Sequence, residues 1–375
     1  MKVLTVVGTR PEIIRLSRVM ARLDECFEHV IVHTGQNYDY ELNEIFFGEL
    51  GIRKPNHFLN SAGVTAAATI ARCIESLDKV FETESPDAVL ILGDTNSCLS
   101  VIAAKKRHIP IFHMEAGNRC FDSRVPEEVN RKIIDHTSDI NLVYTEHARR
   151  NLIAEGLPAD QIFLTGSPMA EILNYHKASI QKSEVLSSLK LKKSEYFVAS
   201  FHREENVDEP RRLASIVESL NVVAKTFELP IVLSVHPRTR KRLVQLSTPF
   251  HPLIQEMKPF GFFDYLRLQQ DAYCTISDSG TITEEAAIAG FSAVTARDAH
   301  ERPEGMDSGV LVMTGIDPQN MVEGINLSRR HFENQMLRNI PQSYQDLDVS
   351  WRVANLIQSY TSYVNRKVWR RISTE

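Results

Sequence analysis

Short apolar runs alternate with longer amphipathic stretches along nearly the whole chain. This alternation is typical of βαβ units, in which a buried strand is followed by a helix that packs on a parallel sheet. Because the pattern recurs in both halves, the sequence predicts an α/β fold with two Rossmann-like, doubly wound domains. The predicted strands are Val3–Val7, Val30–Thr34, Val89–Gly93, Ile109–Met114, Ile140–Tyr144, Ile162–Thr165, Tyr196–Phe201, Ile231–Val235, Tyr273–Ser277, Ser292–Thr295 and Val310–Thr314.

The domain boundary is predicted near the turn at 166–168. With 375 residues, the chain fits two domains of about 150–200 residues each. We expect domains at 1–167 and 168–350, with a last helix in 351–375 that crosses back onto the first domain. The polar stretch 177–193 reads either as a linker or as a helix that uses its leucines.

Composition and charge argue against nucleic-acid-binding and membrane-spanning proteins. The formal net charge is -5 and the isoelectric point is near 6.2, so we expect no nucleic-acid partner. No apolar run approaches the roughly 18 residues of a membrane span, and the first residues resemble a strand rather than a signal peptide. We therefore expect a cytoplasmic protein without a membrane partner. The scattered cysteines have no disulfide or zinc spacing.

Carboxylates follow two of the predicted strands. Asp94 closes the run at 89–93, Glu115 closes the run at 109–114, and Glu127 and Glu128 come directly after Pro126. Ligands of open α/β sheets bind outside the carboxyl ends of the strands. The sequence therefore directs three acids, Asp94, Glu115 and Glu127, at one place.

Two strand-to-helix turns could bind phosphate. The first strand leads into Gly8-Thr9-Arg10-Pro11-Glu12, where Thr9 and Glu12 have capping-box spacing. The amides of this helix start and the Arg10 side chain suit a phosphate, although a plain capped helix with a surface arginine remains open. The turn at 277–281, with Ser279 and Gly280, has the same architecture but lacks a GxGxxG pattern.

Polar residues farther along the second half could complete a nucleotide site. Glu285 could accept hydrogen bonds from a ribose diol, with a helix-start glutamate as the alternative. Arg302 lies in a proline-containing loop and suits a phosphate clamp. His202 and His236 each end a strand and have an arginine close in sequence, which favours a site. We expect no metal, because no tight ligand spacing such as HExxH occurs, and we interpret His33 and His113 as packing residues.

Taken together, these segments resemble the non-hydrolysing UDP-N-acetylglucosamine 2-epimerases and their relatives. The matching pieces occur in the family's order and are Gly8-Thr9-Arg10-Pro11-Glu12, Gly93-Asp94-Thr95, Glu115-Ala116-Gly117, Pro126-Glu127-Glu128-x-Asn130-Arg131, His202-Arg203-x-Glu205, Asp278-Ser279-Gly280 and Glu301-Arg302-Pro303-Glu304.

The resemblance implies a glycosyltransferase-B-like architecture in which two domains face a central cleft. It also implies a homodimer, a UDP-N-acetylhexosamine substrate and no cofactor. The residues carried over by motif are Asp94, Glu115, Glu127 and His202 for catalysis, and Arg10, His236, Ser279, Gly280, Glu285 and Arg302 for UDP.

Departures from the commonest family pattern bear on the sugar. Asn118 stands where UDP-N-acetylglucosamine epimerases usually have leucine, and the segment 33–38 also differs. These variants look most like the branch that converts UDP-2-acetamido-2,6-dideoxy-L-talose to UDP-N-acetyl-L-fucosamine for surface polysaccharides, and they put activation by substrate in doubt. The alternatives are a UDP-N-acetylglucosamine 2-epimerase, a UDP-sugar glycosyltransferase on the same fold, a hydrolysing epimerase and a nucleotide-sugar sensor.

Overall fold

The chain divides into two compact units in a computed structural model that describes residues 1–36, 40–246, 248–334 and 340–371. Unit 1 comprises Met1–Asn174 together with the chain from Gln345 onward, and unit 2 comprises Tyr175–Tyr344. These divisions lie at 174/175 and 344/345, a few residues from the predicted 167/168 and 350/351.

Unit 1 is built on a parallel sheet. Its strands are β1 (Lys2–Val7), β2 (Glu28–His33), β3 (His57–Phe58), β4 (Ala88–Leu92), β5 (Ile111–Met114), β6 (Ile140–Val143) and β7 (Ile162–Leu164). Across the sheet they follow the order β3-β2-β1-β4-β5-β6-β7. The order reverses its direction between β1 and β4, so the topological switch point lies there.

Unit 2 repeats this plan. Its strands are β8 (Phe197–Ser200), β9 (Ile231–Ser234), β10 (Ile254–Met257), β11 (Cys274–Ser277), β12 (Ala293–Thr295) and β13 (Val312–Met313). They follow the order β10-β9-β8-β11-β12-β13, and all described pairs are parallel. The switch point of unit 2 lies between β8 and β11.

Helices connect the strands in both units. In chain order they are α1 (Arg10–Cys26), α2 (Tyr40–Glu49), α3 (Ala66–Glu84), α4 (Val101–Lys106), α5 (Pro126–Thr137), α6 (Glu146–Ala154), α7 (Met169–Tyr175), α8 (Lys177–Gln181), α9 (Val185–Ser188), α10 (Glu204–Val207), α11 (Pro210–Phe227), α12 (Pro237–Leu243), α13 (Phe262–Asp271), α14 (Ile282–Ala289), α15 (Pro303–Asp307), α16 (Pro318–Glu333) and α17 (Val349–Lys367). Within the described residues, no helix is long and apolar enough to cross a bilayer.

The central strands are apolar because the sheets are covered on both faces. All five residues of β4 are buried, and the predicted runs correspond to every strand except β3 and β10. The predicted α/β class with two doubly wound domains is confirmed. The two missed strands lie at sheet edges: β3 has only two residues, and β10 exposes Gln255 and Glu256.

The structure assigns a position to the polar stretch 177–193 and to the last helix of the chain. The polar stretch 177–193 contains α8 and α9, and Leu186, Leu189 and Leu191 pack on the unit 2 core. Helix α17 contacts α1 within unit 1. There the guanidinium of Arg22 lies 3.8 Å from the ring centroid of Trp351, a cation–π contact.

Candidate active site

The switch point of unit 1 brings together the segments that follow β1, β4 and β5. Leu92 of β4 pairs with Met114 of β5, and the Gly93 N–H donates to the Met114 carbonyl at 3.0 Å. Asp94 and Glu115 therefore leave the sheet from neighbouring strand ends. The predicted placement of these two acids at one edge agrees with this register.

Glu12 fixes the turn between β1 and α1. Its carboxylate accepts hydrogen bonds from the N–H groups of Gly8 at 2.5 Å and Thr9 at 2.7 Å, which is the glutamate half of the predicted capping box. The Thr95 hydroxyl, which follows β4, donates to its other oxygen at 2.6 Å. Burial raises the pKa of Glu12, although these hydrogen bonds act to lower it. Glu12 thus joins the two turns of the switch point.

Asp94 is held by a buried arginine. Arg131 of α5 donates from Nε to Asp94 Oδ2 at 2.8 Å and from Nη1 to Glu128 Oε2 at 2.8 Å. The Asp94 side chain keeps 26% of its surface exposed, whereas the Arg131 side chain keeps 5%. Oδ2 of Asp94 is therefore held by the protein, and the exposed part of the side chain is accessible to a ligand.

Glu115 has an unusual backbone. Its φ is +64°, in the left-handed region that residues other than glycine rarely adopt and that often marks functional sites. Arg15 of α1, itself buried, forms an ion pair with Glu115 Oε2. Asn118 donates from Nδ2 to Glu115 Oε1 at 3.3 Å. Asn118 is the residue that departs from the commonest family pattern, and it touches a candidate catalytic acid.

The paired glutamates that begin α5 have different surroundings. Glu128 is 2% exposed and accepts hydrogen bonds from the N–H groups of Cys120 and Phe121, both at 3.1 Å. Burial alone would raise the pKa of Glu128, but these hydrogen bonds and Arg131 outweigh it and lower the pKa. Glu127 is half-buried. The prediction that Glu127, rather than Glu128, is the catalytic residue is compatible with the greater exposure of Glu127.

A buried polar network lies under Glu115. Arg119 donates to Asp135 at 2.7 Å and to Glu155 at 2.6 and 2.7 Å. His113 Nε2 lies 2.8 Å from the Gly93 carbonyl oxygen, and its Nδ1 lies 3.0 Å from Asp135. His113 is thus an interior residue that supports the turn before Asp94.

The segment 33–38 is described only in part. His33 is buried and stacked on Phe58, and burial lowers the pKa of its imidazole to about 4. Gln36 accepts hydrogen bonds through Oε1 from the backbone N–H and hydroxyl of Ser97, at 3.0 and 2.9 Å. Asn37 and Tyr38 lie outside the described residues.

In unit 2, a buried aspartate orients His202. His202 follows β8 and Asp278 follows β11, on the two sides of the switch point. Asp278 is fully buried and lies 3.1 Å from His202 Nδ1. It also accepts hydrogen bonds from the N–H groups of His202 and Arg203 and from Asn206. Burial acts to raise the pKa of Asp278, but His202 and these donors lower it. The His202 side chain is 39% exposed.

The turn after Asp278 approaches its neighbours closely. A Cβ on Gly280 would collide with Glu301 Oε1, so any other residue would require the Glu301 side chain to move away from Arg203 and Arg297. The Ser279 N–H donates to the Ser277 hydroxyl at 3.1 Å, and the Ser279 and Thr281 hydroxyls lie 2.9 Å apart. Ser279 and Gly280 therefore form a compact turn before α14, as the sequence predicts.

Arg302, which the sequence suggests as a phosphate clamp, is buried. It is 2% exposed, donates from Nε to the Gly280 carbonyl at 2.8 Å, and pairs with the buried Glu284 at 3.1 Å. The short helix α15 starts directly after it. In this arrangement the guanidinium supports the Gly280 turn from inside, because Glu284 and the carbonyl satisfy it there.

The remaining predicted ligands of unit 2 also lie near strand ends or on α14. Glu285 accepts a hydrogen bond from Gln269 Nε2 at 3.1 Å, and it is half-buried on the first turn of α14. His236 is half-buried after β9, and its carbonyl accepts from the Arg240 N–H at 2.9 Å as α12 begins. In unit 1, Arg10 is half-buried, with its guanidinium 5.4 Å from the ring centroid of Phe46.

Sequence reasoning did not assign roles to Arg15, Arg131 or Asp278, and it connected Asn118 only with the choice of sugar. Arg131 and Asp278 lie inside motifs of the family resemblance. Their partners are distant in the sequence, however: Asp94 is 37 residues from Arg131, and His202 is 76 residues from Asp278. Arg15 lies 100 residues from Glu115. Only its position one turn past the predicted helix start could have drawn attention to it. No group of three or more potential metal ligands is found within the described ranges.

Two doubly wound parallel sheets with polar side chains at their switch points place this protein among the α/β enzymes. Comparison with known proteins specifies the class further. The sequence model for UDP-N-acetylglucosamine 2-epimerase matches residues 21–358, and the chain belongs to this family. Family membership makes it an epimerase, an enzyme of the isomerase class.

Three relatives show the extent of the similarity. The structure of a UDP-N-acetylglucosamine 2-epimerase from Rickettsia bellii is 47% identical, with a TM-score of 0.91 over 99% of this chain and 100% of that chain. A Methanocaldococcus jannaschii UDP-GlcNAc 2-epimerase, solved in complex with UDP-GlcNAc and UDP, is 31% identical, with a TM-score of 0.88 and coverages of 96% and 100%. The UDP-2,3-diacetamido-2,3-dideoxy-D-glucuronate 2-epimerase of Pseudomonas aeruginosa is 37% identical over 334 residues, which cover 88% of this chain and 92% of that protein.

Proposed function

We propose that this enzyme inverts C2 of a UDP-N-acetylhexosamine by eliminating UDP and adding it back. The observation that supports this most directly is the pair Asp94 and Glu115, which follow adjacent strand ends and each contact an arginine. General acid–base chemistry needs two such carboxyl groups in different surroundings.

The chemistry explains the need for several acids. The C2 hydrogen of the substrate is not next to a carbonyl carbon, so its removal alone would leave a poorly stabilised carbanion. If the C1–oxygen bond breaks as the proton leaves, UDP takes the bonding electron pair and a glycal with a C1–C2 double bond forms. A proton delivered to the opposite face of C2, with return of UDP to C1, gives the inverted sugar.

The residues of unit 1 would carry the proton transfers. Asp94, Glu115 and Glu127 share this work in our proposal, and His202 assists. Arg15 and Arg131 would hold Glu115 and Asp94 in the orientation that the transfers need. Because Asn118 also contacts Glu115, its amide would help to fix the angle of this carboxylate.

The residues of unit 2, together with Arg10, would bind the nucleotide. The start of α14 after Ser279 and Gly280 suits a diphosphate, as does His236 at the start of α12, and Glu285 suits a ribose diol. Arg302 would act through the Gly280 turn that it supports. Such donors stabilise the charge that develops on the departing UDP.

The proposed sugar is UDP-2-acetamido-2,6-dideoxy-L-talose, with UDP-N-acetyl-L-fucosamine as the product for surface polysaccharide synthesis. Its support is the sequence pattern around Asn118, which differs from that of common UDP-N-acetylglucosamine epimerases. UDP-N-acetylglucosamine, converted to UDP-N-acetylmannosamine, is the second candidate, since it is the ligand in the M. jannaschii structure at 31% identity. The name of the P. aeruginosa relative indicates that similar chains act on other sugars.

Proton NMR in D2O tests the proposal. The purified protein is incubated with each UDP-sugar separately, and the C2 proton signal and the product are followed. Loss of that signal with an inverted product supports C2 epimerisation, and the faster substrate is the preferred one. Accumulation of free N-acetylhexosamine would instead indicate a hydrolysing enzyme, and turnover only with an added acceptor would indicate a glycosyltransferase.

We also propose that the enzyme works as a homodimer in the cytoplasm. Helices α4 and α5 are in contact, and they expose Ile102, Val129 and Ile133 by 38%, 51% and 39%. A contiguous exposed apolar patch is a mark of protein–protein interfaces. Sedimentation equilibrium should give twice the chain mass, and Ile133→Asp should shift it toward the single chain. A wild-type protein with the mass of one chain would contradict this proposal.

A further inference from the structure

The loop between Glu115 and Glu127 contains one aromatic side chain with no evident structural task. Phe121 is 81% exposed and has a φ of +56°. The other described residues with positive φ, glycine aside, are polar: Asn60, Ser85, His108, Glu115, Lys190, Ser194, Glu228 and Arg370. An apolar ring thus stands in water on a backbone that disfavours it, and such outliers concentrate at functional sites.

The backbone beneath the ring is firmly anchored. The buried Glu128 accepts the N–H groups of Cys120 and Phe121, both at 3.1 Å, and Arg131 joins Glu128 to Asp94. On the other side, Arg119 is buried in its pairs with Asp135 and Glu155. The backbone at Phe121 is therefore anchored by Glu128, which Arg131 links to a candidate catalytic acid.

We propose that the Phe121 ring covers the sugar of the bound substrate and keeps water from the reacting carbon. This inference rests on the proposed function and goes beyond it by assigning a residue that controls the fate of the intermediate. Its position in the loop that joins two candidate acids places the ring beside the sugar rather than beside the nucleotide.

Water exclusion is a chemical requirement of the reaction. While UDP is detached, C1 of the glycal can accept the oxygen of UDP again as C2 takes a proton, which gives the epimer. If water supplies the oxygen instead, C1 gains a hydroxyl, C2 gains a proton, and free N-acetylhexosamine leaves with UDP. An apolar ring over the sugar favours the first outcome because it excludes water from the site.

Three substitutions at Phe121 test this assignment. Phe121→Ala and Phe121→Gly remove the ring, and Phe121→Leu keeps an apolar cover. We expect free N-acetylhexosamine per epimerised molecule to rise about tenfold in the first two variants, with a higher KM, and to stay near the wild-type ratio in the third. Ile153→Ala, at a position 47% exposed on α6 of the same unit, is the matched control and should behave as wild type.

A second readout does not depend on activity. Glycine adopts positive φ readily and alanine does not, so Phe121→Gly should melt about 2 °C above Phe121→Ala. Equal melting temperatures would contradict the strained backbone on which the inference depends.

The outcomes separate the two proposals. If the wild-type protein exchanges no deuterium at C2 of either sugar, the proposed function fails. If the wild type epimerises but Phe121→Ala has an unchanged product ratio and KM, only the role of Phe121 fails. An altered oligomeric mass of Phe121→Ala would also overturn the inference, because it would assign the ring to an interface between copies.

Discussion

The carboxyl edges of the two sheets use acidic residues in opposite ways. In unit 1, Asp94 and Glu115 remain partly exposed, and buried arginines hold them from behind. In unit 2, the acids Asp278 and Glu284 are themselves fully buried, and they hold His202 and Arg302. The same topology therefore presents carboxylates at the edge of unit 1 and the partly exposed imidazole of His202 at the edge of unit 2, where Arg302 is buried together with its acid. Similar folds can thus expose an acid at the edge of the sheet or bury it below the edge, where it holds another group.

The largest expected effect comes from a change to a partly exposed acid of unit 1. Glu115→Gln keeps the size and the hydrogen-bond acceptor of the side chain but cannot transfer the proton. We expect deuterium exchange at C2 to fall about 10²- to 10⁴-fold, with UDP affinity by calorimetry nearly unchanged. Glu75→Gln, at an exposed position on α3, is the control. Undiminished exchange in Glu115→Gln would remove this residue from the proton path.

A buried acid of unit 2 should have a smaller effect, exerted through its partner. Asp278→Asn removes the charge that faces His202 Nδ1, so the imidazole loses its fixed tautomer and orientation. We expect kcat to fall about a hundredfold with little change in KM, and the 15N spectrum of the His202 ring to show a changed tautomer. An unchanged ring spectrum would show that Asp278 does not set the histidine. Glu323→Gln on α16 is the control.

Support of the Gly280 turn should matter less for turnover than for binding. In Arg302→Lys, an ammonium replaces the fork that contacts both the Gly280 carbonyl and Glu284. We expect a loss of about 2 kcal/mol in the free energy of unfolding and UDP binding weaker by about tenfold. If the protein is destabilised but its UDP affinity is unchanged, Arg302 supports the fold and has no part in UDP binding.

The smallest expected effect concerns how the stability contributed by Asp278 changes as the pH falls. The pKa of Asp278 in the folded protein is lowered below the unfolded value of about 3.9. Its carboxylate therefore stabilises the folded state above that value, and the contribution disappears as the pH falls through the lower folded-state pKa. The difference in urea midpoint between wild type and Asp278→Asn should shrink as the pH falls below about 4. A difference that grows in acid would contradict this sign.

The sequence pattern predicted strands well where every residue of the strand is buried. The runs at 89–93 and 109–114 located β4 and β5 within two residues, and the acids after them lie at the predicted edge. The edge strands β3 and β10 could not be predicted in this way, because one is very short and the other has exposed polar residues.

The contacts that define the site were largely invisible in the sequence. Arg15 and Glu115 are far apart in the sequence. They meet because Arg15 lies on the helix after β1 and Glu115 follows β5, and these two strands flank β4 in the sheet. Arg302 was predicted to lie in a proline-containing loop, and the sequence does not show that its side chain pairs with a buried glutamate on α14. Ion pairs across long sequence separations follow from tertiary packing.

Helix α17 also constrains how the protein is made. It belongs to unit 1 and contacts α1, yet the ribosome adds it after all of unit 2 has been synthesised. Unit 2 can fold as soon as its own chain has emerged, as domains generally do during synthesis. The nascent unit 1 must wait until the helix from the far end of the chain arrives, and until then the part of α1 that contacts α17 is uncovered. Premature termination before α17 would therefore leave the unit that carries the candidate acids as the one exposed to chaperones and proteases.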